Sequence, residues 1–289
     1  MLPLSRMPAR NILVCFDAFG TLFNPKTPVV HQYGEVARAL GLRGFSDADL
    51  GAAFSAAFKN ESKQNPNYGR ATGLGAEKWW TNVTNQSLSS DLAPKLIRRF
   101  HCDEGYILYD DVKPLLHKLR VSAKRTKSNI VIGVITNSDD RVPDILRAFN
   151  LKVNDLRYGD RMKAPLASGD DIDFSIMSYD VGHEKPDRRI FDAAVETLSS
   201  IIAQSGAEVR APQAESWSKI YIGDEYKKDV VGALSAGWSV ALIDRDGSQS
   251  HDGVLQLSES HSSDLFDILE TSRAVGARCL DDLTKRIPA

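Results

Sequence analysis

The chain has 289 residues, enough for one large domain or for two domains sharing an interface. Hydrophobic residues make up 42% and charged residues 26%, an ordinary balance for a globular protein. A formal charge of −2 gives no bulk attraction to nucleic acid or to an anionic membrane, so neither is expected as a partner.

No apolar run approaches the roughly 18–20 residues needed to span a bilayer. The first ten residues, MLPLSRMPAR, hold Arg6 and Arg10 without an acid and lack the apolar segment of a secretory signal. A frayed terminus is expected there rather than a mitochondrial presequence. Cys15, Cys102 and Cys279 are an odd, widely spaced set with no CxxC pair, which suggests neither a disulfide framework nor a zinc site. A reducing, intracellular compartment follows, the cytoplasm by default, with nucleus and mitochondrion as alternatives.

In chain order, Asn11 to Phe16 (NILVCF) is a short apolar run rich in β-formers, read as a buried strand ending at Asp17. The interval 26–105 reads instead as helices, over Val29 to Leu40, Asp47 to Lys59, Ala76 to Asn85 and Leu92 to Phe100. It is expected to form an all-helical insertion lying over the first domain. Val112 to Leu119 is a further helix, then Ile130 to Ile135 a strand ending in Thr136-Asn137-Ser138, then Val142 to Phe149 a helix. Leu156 to Asp173, with Gly159, Pro165 and Gly169, reads as a surface excursion without a catalytic role, and Phe174 to Ser178 as a weaker strand. Asp187 to Ala203 repeats apolar residues at three-to-four spacing behind Pro186, whose missing N–H costs little at a helix start. Lys219 to Ile222 and Trp238 to Ile243 are the last strands, the former ending in Gly223-Asp224. Strands alternating with helices predict an α/β fold with a mostly parallel sheet, whose sites lie at the carboxyl ends of the strands.

Four places along that edge could carry chemistry. Asp17 directly follows a buried strand, and such a carboxylate either attacks an electrophilic phosphorus or carbon or merely caps the next turn. Thr136 and Asn137 either orient an anionic oxygen or cap the following helix. Lys185 stands at a helix entrance, where the dipole already places positive charge, so it calls for a neighbouring carboxylate or a bound anion, or is a solvated surface residue. Asp224 and Asp229 lie about one helical turn apart and could face the same crevice as Asp17. Three carboxylates in a low-dielectric pocket repel one another unless cations are present; Lys185 would supply one charge and a divalent metal two more. Hard oxygen donors of this kind suit magnesium.

Taken together and in this order, FDAFGTLF, VITNS, EKP and IGDEYKKD resemble the four motifs of the haloacid dehalogenase superfamily. The stretch NPNYGRATGLGAEKWW (Asn65 to Trp80) is similar to that of the haloacid dehalogenase-like hydrolase domain-containing protein 3 group within it. The resemblance implies a Rossmann-like core (1–25 and 106–289) with a helical cap (26–105) inserted after the first strand. It implies Asp17 as nucleophile, Thr136 and Lys185 as its catalytic partners, and Mg²⁺ held by Asp17, Asp224 and the main-chain carbonyl of Phe19, with Thr21 and Asp229 behind them. Asn137, Tyr68 and Arg70 are candidates for binding a small anionic substrate. On composition alone, Trp79 and Trp80 are core or interface aromatics.

The motif departs from the phosphatase pattern at Phe19. Phosphatases of the superfamily carry a second Asp two residues after the nucleophile to protonate the leaving oxygen. Phe19 cannot transfer a proton, and general acid–base catalysis is typically worth ~10²–10⁴-fold, or roughly 3–5 kcal/mol of barrier. The 2-haloacid dehalogenases carry an aromatic residue there, because halide leaves unprotonated, but they lack the metal ligand that Asp224 resembles. The primary expectation is a Mg²⁺-dependent phosphohydrolase acting on a substrate with a good leaving group. The alternatives are a metal-independent dehalogenase-type hydrolase and a weakly catalytic protein that keeps the fold for binding.

Overall fold

A computed structural model describes residues 9–87, 91–160, 169–204, 213–248 and 251–288. Most of the N-terminal segment read above as frayed, residues 1–8, lies outside them.

The strands are β1 (Asn11–Phe16), β2 (Phe23–Pro25), β3 (Tyr106–Leu108), β4 (Asn129–Thr136), β5 (Phe174–Met177), β6 (Ser218–Gly223), β7 (Ser239–Ile243), β8 (Leu255–Gln256) and β9 (Ala274–Ala277). Seven of them form a sheet in the order β5-β4-β1-β6-β7-β9-β8, parallel at every pairing. The fold is α/β with a parallel sheet, as the alternation of elements predicts.

Strand β1 shows how the sequence builds the two layers. Ile12, Val14 and Phe16 join the core on one face, while Leu13 and Cys15 join that on the other. Neighbours β4 and β6 alternate in the same sense, Ile132, Val134 and Ile222 against Ile135 and Tyr221. A strand buried on both faces is apolar at every position, which is why β1 and β4 read as continuous runs. Helix Arg188–Gln204 covers the second face through Ile190, Phe191, Ala194 and Leu198.

Helices Val29–Ala39, Asp47–Gln64, Ala76–Ser87 and Ala93–Arg99 lie between β2 and β3, and no strand occurs among the described residues of that interval. Ser46 caps the second of them: its hydroxyl accepts from the N–H of Asp49, whose carboxylate accepts from the N–H of Ser46. This reciprocal pair fixes the helix start, and the helix runs further than the expected Lys59. Strands β2 and β3, not foreseen, pair antiparallel on either side of the helical segment. Gln32 ties this crossing, its Nε2 donating to the carbonyls of Thr27 and Gly105, each at 2.9 Å.

The excursion from Leu156 to Asp173 needs correction at its ends, its residues 161–168 lying outside the described ones. Leu156, Ile172 and Asp173 are buried, and Asp173 Oδ2 accepts from the N–H of Ile132 in β4 at 2.7 Å while Oδ1 faces Arg120 at 2.9 Å. A surface loop would leave such a carboxylate in water; here it terminates on the sheet. No element was expected after Ile243, yet β8, β9 and the helices Leu265–Ser272 and Leu280–Thr284 complete the sheet edge. Their strands are too short and small-residued to show a period.

Candidate active site

Parallel pairing sets Phe16 of β1 beside Val134 of β4 and Ile222 of β6. Asp17 follows β1, Thr136 is the last residue of β4 and Asp224 follows β6, so sequence-distant groups meet at one edge of the sheet. The chain turns in opposite directions from β1 to β4 and to β6, and the crevice lies at that switch point. The N–H of Asp17 extends the ladder by donating to the carbonyl of Ile222 at 2.8 Å.

Asp17 is 6% exposed and Lys185 3%. Lys185 Nζ lies 2.9 Å from Asp17 Oδ1 and 2.8 Å from Asp229 Oδ1, and donates to the hydroxyl of Tyr221 at 2.8 Å. All three ammonium hydrogens thus have acceptors. Lys185 is no solvated surface residue; the two carboxylates that a lysine at this place calls for are there. Asp17 Oδ1 also accepts from the N–H of Ala18, and Asp229 Oδ2 from that of Glu225, each at 2.8 Å. Thr21 is fully buried, and its hydroxyl donates to Asp224 Oδ1 at 2.9 Å. Asp229 reaches the cluster because Tyr226–Val230 is a turn of π-helix, a wide turn often found at functional sites.

The charges follow from this packing. Burial pushes the carboxyl of Asp17 up, Lys185 opposing and Asp229 adding to the shift. Asp224 is pushed up to about 7, first by burial and then by Asp17, against the hydroxyl of Thr21. Burial works against the charge on Lys185, but Asp17 and Asp229 outweigh it and hold the ammonium protonated. Carboxylate oxygens of Asp17, Asp224 and Asp229 lie within 4.8 Å of one another, with a single ammonium among them. Such a site is short of positive charge, and its hard oxygen donors fit a divalent cation of the magnesium type. Two glycines make the approach feasible. A Cβ at Gly20, whose φ is +79°, would fall 2.2 Å from Asp224 Oδ2, and one at Gly223 would fall 2.4 Å from Asp229.

Asn137 takes a different place from a free ligand for substrate. Its Oδ1 accepts from the N–H of Lys185 at 2.7 Å and its Nδ2 donates to the carbonyl of Lys185 at 3.0 Å, so the amide pins the main chain of that residue. It also borders a cavity of about 300 Å³ between the helical segment and the sheet. Phe19, Tyr33, Phe54, Tyr68, Trp80 and Tyr106 give that cavity an aromatic wall, with Ser138 and Arg141 as further polar lining. Phe19 packs edge-on against Phe23 and Tyr106, with centroids 4.7 and 5.7 Å away.

Tyr68 reaches the cavity and Arg70 does not. Asn67, Tyr68 and Gly69 have φ of 48°, 57° and 68°, a left-handed turn that swings Tyr68 inward. Arg70 is left exposed, its guanidinium beside Gly182. Its expected place at the substrate is therefore corrected: the reversed turn carries it to the outer side. Asn67 Nδ2 donates to the carbonyl of Ser178 at 3.1 Å, fastening the loop to the chain just beyond β5.

Tyr221, Asp139 and Arg141 were not foreseen. Tyr221 accepts from Lys185 and donates to the carbonyl of Ile135 at 2.7 Å, its signal being a lone hydroxyl in an aliphatic strand. Asp139 Oδ1 accepts from Arg141 Nε at 2.7 Å and Oδ2 from Trp80 Nε1 at 2.6 Å. The guanidinium stacks over the Trp80 ring, 4.6 Å from its centroid. Nothing in the spacing of residues 139 and 141 distinguishes them from the start of a helix.

The family model for haloacid dehalogenase-like hydrolases matches residues 13–237, and the chain belongs to that family. A hydrolase of Schizosaccharomyces pombe is 30% identical over 246 residues, spanning 82% of this chain and 94% of that one. The haloacid dehalogenase-like hydrolase domain-containing protein 3 of Danio rerio is 28% identical over 257 residues, 85% of this chain and 90% of that one. Among solved structures, a phosphatase of the family from Thermococcus onnurineus superposes with a TM-score of 0.55 at 19% identity, covering 95% of this chain and 96% of that one. A 2-haloacid dehalogenase from Pseudomonas syringae does so at 0.54 and 18%, covering 95% and 97%. At these identities the likeness carries the fold and not the reaction. No helix among the described residues is long and apolar enough to cross a membrane.

Proposed function

We propose that this hydrolase is a magnesium-dependent phosphohydrolase acting on a small anionic substrate. The observation that supports it is the crowding of Asp17, Asp224 and Asp229 around one ammonium. An oxygen of Asp17 attacks phosphorus, the P–O bond to the leaving group breaks, and its electron pair departs with that oxygen. Water then opens the aspartyl phosphate, releasing phosphate and restoring the carboxylate, its proton passing to solvent. Lys185 stays charged beside Asp17 and faces the negative charge that grows on the phosphoryl oxygens, while Thr136 holds one of them. Asn137 and Tyr221 keep Lys185 in position. Magnesium, when bound by Asp17, Asp224 and the Phe19 carbonyl, neutralises carboxylate repulsion and polarises the phosphoryl group. Phe19 offers no proton, so the leaving group must be a weak base: an acyl phosphate, an anhydride or an aryl phosphate.

This reading divides the chain into a core of 1–25 and 106–289 and a cap of 26–105, with the β2–β3 ribbon at the crossing. An intracellular setting accords with three unpaired cysteines.

Calorimetry of Mg²⁺ binding, wild type against Asp224→Asn, tests the site. Binding in the wild type alone, with aryl phosphate hydrolysis that stops in EDTA, is the expected result; no binding to either protein sinks the reading. Phe19 also favours a second one, in which Asp17 attacks carbon and halide leaves unprotonated. Chloride release from 2-chloropropionate in EDTA would establish it. A third, binding without catalysis, requires that Asp17→Asn leave the cellular role intact.

A further inference from the structure

The cavity beside the site contains one cation that the reaction above does not use. Arg141 is 8% exposed, and its Nε is taken by Asp139. Its Nη1 and Nη2 make no hydrogen bond among the described residues, although the side chain is buried and borders the cavity. Both oxygens of Asp139 already have partners in Arg141 and the Trp80 indole. A buried guanidinium held by one edge, with the other edge open into a cavity, matches a planar two-oxygen acceptor. The rings of Tyr68 and Tyr106 line the same cavity as Arg141.

Much of the remaining wall is aromatic, with Val29, Leu96 and Ile97 beside it and Asn137 and Ser138 as polar lining, and the volume of about 300 Å³ sits at the lower end of the small-molecule range of roughly 300–1,000 Å³. Phe19 belongs both to that wall and to the turn after Asp17, so the cavity adjoins the nucleophile. The missing proton donor and the aromatic wall therefore point to the same chemistry. An aryl oxide leaves as a stable anion, and its ring suits these walls.

We propose that the cavity holds the leaving group of an aryl phosphate bearing a carboxylate, and that the Nη1–Nη2 edge of Arg141 receives that carboxylate. This rests on the phosphohydrolase reading. The P–O bond breaks with its electron pair on the phenolate oxygen, and position 19 supplies no proton. Arg141 determines specificity; it does not touch the phosphoryl group. A purely structural pair, with Asp139 and Arg141 merely fastening Trp80, would leave substrate preference unchanged.

The experiment is steady-state kinetics of the full chain with Mg²⁺, comparing phenyl phosphate with 4-carboxyphenyl phosphate. The variant is the double change Asp139→Asn with Arg141→Gln, which removes the buried pair together and leaves no lone charge. In parallel, calorimetry of 4-hydroxybenzoate against phenol, on the wild type and on the variant, requires no turnover. The wild type is expected to favour the carboxylate ester in kcat/KM by ~10–100-fold, the range for hydrogen bonds to a charged group, and the variant to bring that ratio near one. Turnover of phenyl phosphate without carboxylate preference overturns the proposal and leaves the phosphohydrolase reading standing. No turnover of either ester, with 4-hydroxybenzoate bound at least ~10-fold tighter than phenol and that preference lost in the variant, upholds the cavity assignment and sinks the phosphohydrolase reading. Neither turnover nor preference overturns both.

Discussion

Lys185 is the residue on which the local electrostatics turn. Its ammonium is the partner of two buried carboxylates, so removing it strands both. Lys185→Met is expected to lower stability by about 3–5 kcal/mol at pH 8, the range for breaking a buried ion pair. Urea unfolding would read this, and the loss should be smaller at pH 5 than at pH 8, because burial already raises the carboxyl of Asp17 and a lower pH favours its neutral form. An equal loss at both pH values would show that packing and not charge is responsible. Asp224 gives the second pH effect. Metal-free, the folded chain keeps its proton up to about pH 7, whereas an unfolded Asp releases it near pH ~3.9. A raised folded value means stabilisation that is complete below the unfolded value and lost as pH rises through 7. The melting temperature of the metal-free wild type should therefore fall more steeply between pH 5 and 8 than that of Asp224→Asn, and excess Mg²⁺ should restore it at pH 8. Parallel profiles for the two proteins would contradict that placement of the charge. Phe19→Asp tests the missing acid: hydrolysis of an alkyl phosphate should rise, by at most ~10²–10⁴-fold.

At the scale of elements, the site depends on how closely two loop backbones approach. The turn after β1 passes Asp224 at a distance only glycine allows, with φ at Gly20 in the left-handed region. Gly20→Ala should push Asp224 aside and weaken Mg²⁺ binding by roughly 10–100-fold, as changes around metal ligands do. Unchanged affinity would mean that the turn relaxes without moving the carboxylate. Helix Arg188–Gln204 has an equally local role. It covers the sheet face to which Tyr221 belongs, so the chain entering it brings Lys185 over that hydroxyl. The lysine that is unfavourable for a helix start is placed by the sheet beneath it.

For the molecule as a whole, the contacts that fasten the helical segment over the sheet edge include two hydrogen bonds. Asn67 donates to the carbonyl of Ser178, and Trp80 donates to Asp139. Both come from the stretch between Asn65 and Trp80, which gives its Asn, Gly and Trp residues a common purpose: a reversed turn, an inward tyrosine and an indole reaching the other layer. Asn67→Ala with Trp80→Phe should raise amide exchange in Ala76–Ser87 by ~10-fold or more, each lost hydrogen bond counting for about 1 kcal/mol. Exchange in β1 and β4 should not follow. Uniform loss across the sheet would mean that the two layers unfold as one.

The sequence by itself determined the parallel α/β core and the four groups along its edge. Strands buried on both faces must be apolar throughout, and a motif at a strand end keeps its place whatever connects the strands. Residues such as Asp17, Lys185 and Asp224 were legible for that reason, as was the helical insertion, whose period of 3.6 differs from anything a sheet requires. Tertiary structure alone decided the rest. Whether Asn137 faces substrate or pins Lys185, and whether Tyr68 or Arg70 turns inward, depends on contacts across the fold and on a left-handed turn that composition permits but does not require. Arg141 is the plainest case. As a sequence it is one more charge at a helix start. Only burial between Asp139 and the Trp80 ring, contributed by a distant helix, makes it a cation with one edge open to a cavity.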